Sequence, residues 1–238
     1  MRILPFLFLI LSLSANARDL RKKVVVIDSG FNFNSEYLSY RIQGSHRMSE
    51  ALCEKGHRDF TGTGLSDRIG HGTNIAGIIA ERMDLSKYCI IVVKFYSDYG
   101  DLNVLKYYYK ALPYVESLKP YLVNMSLDGR SPLPEERDFL SKSLKRGTRI
   151  VVAAGNSSAN LDQQCISYPT CYRFSNSRFR SVGGLHPTLQ GELRRMPASN
   201  YGLIVKDWRI GDSVCALGVC KSGTSQATAV LSAELLAE

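Results

Sequence analysis

The sequence has only one long apolar run. After its opening segment, MRILPFLFLILSLSANA, no stretch reaches the roughly 20 apolar residues that a bilayer-spanning helix requires. In the opening segment itself, Arg2 precedes an apolar core of about a dozen residues and Ala15-Asn16-Ala17 supplies the small-x-small pattern that signal peptidase accepts. Residues 1–17 are therefore read as a signal peptide. Residues 18–238 are read as the exported part, a compact domain in the periplasm or outside the cell with no stable membrane insertion after cleavage.

Other absences narrow the function. No two cysteines stand at C-x-x-C spacing, which argues against a zinc site, and no complete oxygen shell for calcium can be assembled from the acidic residues. No metal and no cofactor are expected. The formal charge of +8 is not gathered into a tract: Arg173, Arg178 and Arg180 form one cluster and Arg194-Arg195 another, with acidic residues interspersed throughout. That is a solvated basic surface rather than a nucleic-acid footprint. No internal repeat, low-complexity tract or long linker divides the chain, so a single domain is expected.

Six cysteines are present, all beyond residue 17. An even number in an exported chain points to disulfides, and about fifteen pairings are possible in principle. Cys165 with Cys171 and Cys215 with Cys220 bracket short turn-like segments, which leaves Cys53 for Cys89; sequence alone does not choose among the alternatives.

The apolar pattern indicates α/β architecture. KKVVVID (Lys22 to Asp28) is β-branched and nearly continuous, as a strand buried on both faces should be, and Tyr88 to Tyr96, Tyr121 to Leu127 and Arg149 to Asn156 repeat it. Leu102 to Leu118 and Glu135 to Arg146 have the spacing of amphipathic helices. Strands alternating with helices predict a central, mostly parallel sheet with helices on both faces. Tyr107-Tyr108-Tyr109 is read as helix packing, and His46, His57 and His186 as structural.

Ligands of such sheets collect beyond the carboxyl ends of the strands. Asp28 emerges where the first strand ends, and Asn156 follows Ile150 to Gly155 in the same way. His71 stands at the amino end of a predicted helix, Thr73 to Met83, between Gly70 and Gly72, which are expected to let other backbone approach its ring. The helix terminus disfavours imidazolium and is expected to keep the ring neutral. Ser225 follows Gly223-Thr224 and opens a small-residue helix, close to the unpaired N–H groups of its first turn. A serine nucleophile needs a base, the base an orienting carboxylate, and the oxyanion a set of donors. Ser225, His71, Asp28 and Asn156 can fill those four roles.

The blocks VIDSG, GHGTNIAG, AAGN and SGTSQA, in that order between Val24 and Ala229, resemble the signatures of the subtilisin-like serine proteases. The resemblance implies an endopeptidase that works through an acyl-enzyme. In it, Ser225 attacks, His71 moves the proton, Asp28 steadies the imidazolium, and the Asn156 amide with the Ser225 N–H holds the oxyanion. VNMSLDG resembles the family's segment that pairs with bound peptide, so Ser126, Leu127 and Asp128 are expected to form one wall of a substrate groove, and Gly155 is expected to bind substrate as well. YPT near Tyr168 resembles a turn beside the specificity pocket. Protein or peptide substrates are implied.

The chain departs from the family pattern in places. Ala229 stands where a proline is usual. Asp128 stands where a glycine is usual, and it is expected either to crowd the groove or to favour a basic substrate side chain. The interval between Ala17 and Asp28 leaves no room for the family's common propeptide, so either a pared-down protease braced by disulfides or an incomplete chain is expected. An α/β-hydrolase esterase is disfavoured, because GTSQA lacks the second glycine of G-x-S-x-G and no histidine follows Ser225. A catalytically inactive binding protein on the same scaffold stays open as the alternative.

Overall fold

The computed structural model describes residues 20–97, 100 and 102–237, so the expected signal peptide lies outside the described residues. Its centre is the strand Lys22–Asp28. Val24 and Val26 point to one face and Val25 and Ile27 to the other, and all four are buried, because helices cover both sides. This strand pairs in parallel with Tyr88–Lys94 on one side and with Leu122–Met125 on the other. The sheet continues in parallel through Arg149–Ala153, Phe179–Pro187 and Asp207–Ile210, while the two-residue strand Arg58–Asp59 closes the opposite edge. The single antiparallel member is Leu193–Arg195, which folds back on Phe179–Pro187. A mostly parallel sheet with covered faces is what the alternation of strand and helix patterns predicted.

The helices divide by face. His71–Ala80 and Thr224–Glu234 pack against Val24 and Val26, whereas Val104–Ser117 and Pro134–Lys145 pack against Val25 and Ile27. Pro134 opens its helix at the one turn where a missing N–H costs nothing. The first pair of helices is held together by polar bonds as well as apolar contact. Gln226 donates to Asn74 Oδ1 (3.0 Å), and Asn74 donates onward to the carbonyls of Val219 and Val214.

Three disulfides join Cys53 to Cys89, Cys165 to Cys171 and Cys215 to Cys220, the pairing suggested by spacing. His57 is a satisfied core residue: its Nε2 donates to the Cys53 carbonyl (2.8 Å) and its Nδ1 accepts the Val92 N–H (3.0 Å). Burial lowers its pKa, so the ring stays neutral. No helix among the described residues is long and apolar enough to cross a membrane, and no cluster of three or more potential metal ligands occurs among them.

Candidate active site

Three adjacent parallel strands end side by side, and each delivers a polar residue to the same edge. Asp28 closes Lys22–Asp28, Ser126 follows Leu122–Met125, and Asn156 lies just past Arg149–Ala153. Above this edge stand the amino ends of the two helices that begin at His71 and Thr224. The crevice is thus built from backbone ends that parallel pairing forces into register.

Asp28 is buried, and its Oδ1 lies 2.7 Å from His71 Nδ1 while also accepting the Ser29 N–H at 2.7 Å. The bond fixes which ring nitrogen faces the acid and leaves Nε2 for the cavity. Burial works against the imidazolium, but the charge and hydrogen bond of Asp28 outweigh it. Asp67 adds to the effect and Lys221 opposes it, and the net result is a pKa above the ordinary 6.5. The helix terminus was expected to disfavour the imidazolium, and the Asp28 carboxylate in contact acts in the opposite direction.

The helix begins at His71 and ends at Ala80, earlier at both ends than the predicted Thr73 to Met83. Asp67 sets its start. Its Oδ1 accepts the Gly70 N–H (2.9 Å) and its Oδ2 the Thr73 N–H (2.8 Å), so a buried carboxylate occupies the positive end of the helix. The Ser29 hydroxyl donates to Asp67 Oδ1 (2.9 Å) and accepts the Gly72 N–H (3.0 Å), tying Asp67 to the Asp28 loop. Asp67 was not singled out from sequence. An aspartate four residues before a helix-opening histidine was the available signal.

The two glycines beside His71 serve different ends. A Cβ on Gly72 would meet the Gly30 carbonyl oxygen at 2.3 Å, so this glycine does permit close backbone approach. A Cβ on Gly70 would make only ordinary contacts, with Val219 Cγ1 at 3.6 Å and Lys221 Cε at 3.9 Å, but its φ is +70°, so it is required by left-handed backbone geometry instead.

Ser225 lies in the first turn of its helix and shares one cavity with His71, Asn156, Lys221 and Gly223. Its Oγ donates to the Ser126 carbonyl (3.0 Å) and forms no hydrogen bond with His71 in this structure. The Ser126 hydroxyl in turn donates to the Ser225 carbonyl (2.9 Å). Asn156 Oδ1 accepts the Thr224 N–H (3.0 Å), an arrangement that leaves Nδ2 as its free donor beside Ser225.

Ser126, Leu127 and Asp128 line the adjoining groove, and Gly129 is cross-bridged to Tyr168 through both backbone N–H groups (2.8 and 2.9 Å). Gly155, at φ +92°, has no room for a side chain: a Cβ would meet Ser167 Oγ at 2.5 Å and Asp128 Oδ2 at 2.9 Å. The Asp128 carboxylate therefore turns inward between the two walls, although the residue is exposed on its outer side. Crowding by its neighbours raises its pKa against the opposing pull of Arg130 and Ser167.

A profile of the subtilase family (peptidase S8) matches residues 21–235, which takes in every element described above from Lys22 to Glu234. The chain belongs to the subtilase family. This subtilase is 27% identical over 158 residues to the major intracellular serine protease of Bacillus subtilis (strain 168), an overlap covering 63% of this chain and 48% of that protein. It is 26% identical over 214 residues to subtilisin-like protease 2 of Trichophyton equinum, covering 87% and 45% respectively. The chain thus spans about half the length of the curated relatives it matches.

Among solved structures, a cold-adapted subtilisin-like serine proteinase superposes with a TM-score of 0.65 at 24% identity, over 89% of this chain and 72% of that one. A psychrophilic protease designated S41 superposes at 0.64 with 23% identity, over 89% and 74%. These two establish that the fold of this subtilase is subtilisin-like.

Proposed function

We propose that this subtilase is a secreted serine endopeptidase, one peptidase domain over residues 18–238, that cleaves protein or peptide substrates through an acyl-enzyme. The observation that carries this reading is the 2.7 Å Asp28–His71 pair opening into the cavity that also holds Ser225 and Asn156. Export rests on the signal-like segment at residues 1–17 and on three disulfides, which persist in oxidising compartments such as a periplasm or the extracellular space.

In the reaction, a peptide lies along Ser126, Leu127 and Asp128 as an added strand. Once a substrate N–H takes the Ser126 carbonyl, the Ser225 hydroxyl turns from that acceptor toward His71 Nε2. His71 removes the proton as Oγ attacks the scissile carbonyl carbon, and Asp28 stabilises the imidazolium that forms. The Asn156 Nδ2 and the Ser225 N–H receive the oxyanion. Loss of one such donor costs about 10²- to 10³-fold in turnover, a magnitude established on a subtilisin rather than derived from this geometry. His71 then protonates the departing amine, and a water repeats the sequence to release the acid.

Labelling with a serine-reactive phosphonate tests the assignment. Modification at Ser225 that disappears in His71→Ala is the expected result. Absence of labelling in folded protein freed of its leader would leave the inactive binding protein as the better reading.

A further inference from the structure

The groove beside Asp28 and His71 continues into a cavity of about 400 Å³. Its walls are apolar, built from Phe95, Val104, Leu105, Leu127 and Leu133. Asp28, His71, Lys221 and Glu136 line it as well. Glu136, from the first turn of the helix Pro134–Lys145, is only 2% exposed. Its Oε1 accepts the Tyr108 hydroxyl at 2.5 Å, whereas its Oε2 is buried and has no hydrogen-bond partner among the described residues.

A bond between Tyr108 and Glu136 would by itself be a cross-link between two helices. That role accounts for one carboxyl oxygen and leaves the other buried without a hydrogen-bond partner among the described residues, an unfavourable place for a polar atom. The groups that bear electrostatically on Glu136 are the hydroxyls of Tyr108 and Tyr172, and no cation of the chain is among them. Glu136 forms no ion pair among the described residues, and it lines the cavity although its Oε2 is itself covered. Asp128 lines the same cavity and adds to its acidic character.

We propose that Glu136 makes this cavity a subsite for a basic side chain of the bound peptide, lysine or arginine, with the alkyl stem along the apolar walls and the cationic head on Oε2. The proposal rests on the protease reading above for the identity of the ligand as a peptide. An apolar side chain would fill the walls but leave Oε2 unpaired, and an acidic one would meet a second carboxylate. Discrimination of this kind arises from the penalty of a buried polar group left without its partner.

The test has two independent arms. In the first, the Ser225→Ala variant, which binds without turnover, is titrated with fluorescent acetylated hexapeptides that carry lysine or norleucine at each position in turn. At one position lysine is expected to bind at least about tenfold more tightly than norleucine. Adding Glu136→Gln or Glu136→Leu should reduce that ratio to near one or reverse it, with circular dichroism confirming a native fold. The glutamine variant retains an acceptor for Tyr108 and so separates charge from helix packing.

In the second arm, the enzyme with Ser225 intact digests the same peptides. Lysine preference in binding without any cleavage would overturn the protease reading and leave the subsite standing. Equal binding of lysine and norleucine at every position, or a lysine preference unchanged in both Glu136 variants, would overturn the subsite.

Discussion

Ser126 and Ser225 exchange hydrogen bonds: each hydroxyl donates to the other residue's carbonyl, at 2.9 and 3.0 Å. The groove wall and the nucleophile are thereby fastened to each other, and the Ser126 hydroxyl also accepts from the buried Asn124 amide (2.9 Å). Ser126→Ala removes the first bond and leaves the Asn124 donor unsatisfied, while the Ser126 carbonyl that holds Ser225 Oγ is retained. A loss of about 1 to 3 kcal/mol of stability is expected, measured from the denaturant midpoint. An unchanged midpoint would mean that water replaces the hydroxyl without cost.

The His71 shift fixes a pH dependence. Activity should rise with pH through a pKa above 6.5, because the base must lose its proton first. Asp28→Asn removes the cause of the upward shift and leaves the burial that opposes it, so the apparent pKa should fall. Turnover should drop by about 10⁴-fold, the scale found when a triad loses its orienting aspartate. Lys221→Met removes a charge that disfavours imidazolium, and its apparent pKa should move up. A shift in the opposite direction in either variant would remove His71 from the role of base.

The same shift has a thermodynamic counterpart. With the folded pKa of His71 above the unfolded one, the contribution to stability is complete below about 6.5 and is lost as pH rises through the folded value. Glu136 also has a raised pKa, caused by burial that the Tyr108 and Tyr172 hydroxyls only partly offset. Protonation is the state that burial favours, so its contribution declines as pH climbs from about 4.5 through the raised value. Glu136→Gln should flatten the stability profile across that interval. Thermal melts of both proteins at matched pH provide the comparison.

Gly70 and Gly72 should respond differently to alanine. Gly70→Ala places a side chain in left-handed backbone at ordinary contact distance from Val219 and Lys221, at a cost of about 1 to 2 kcal/mol. Gly72→Ala drives a methyl into the Gly30 carbonyl at 2.3 Å and displaces the Asp28 loop. It should cost more than the first substitution and reduce phosphonate labelling of Ser225 as well. Equal effects in the two variants would contradict the distinction drawn here.

The sheet was legible in the sequence because a strand covered on both faces must be apolar along its whole length, and Lys22–Asp28 and Tyr88–Lys94 read that way. The candidates Asp28, His71, Asn156 and Ser225 could be picked out because each stands at the end of an apolar element, where parallel pairing gathers polar groups at one edge. Asp67 and Glu136 were not legible. A capping aspartate and a helical glutamate look like ordinary surface residues in one dimension, and only burial, 2% exposure for each, sets them apart.

Sequence alone determined the alternation of apolar strands with amphipathic helices and the candidate nucleophile, base and acid, since these depend on periodicity, spacing and residue chemistry along the chain. Tertiary structure decided that Asp28 holds His71 through Nδ1, that Ser225 rests on Ser126 rather than on the imidazole, and that Glu136 is buried beside a largely apolar cavity. Those relationships join residues up to 99 positions apart. They come from parallel strands bringing their carboxyl ends to one edge, and from burial, which gives a charge its consequence only after the fold has removed the water around it.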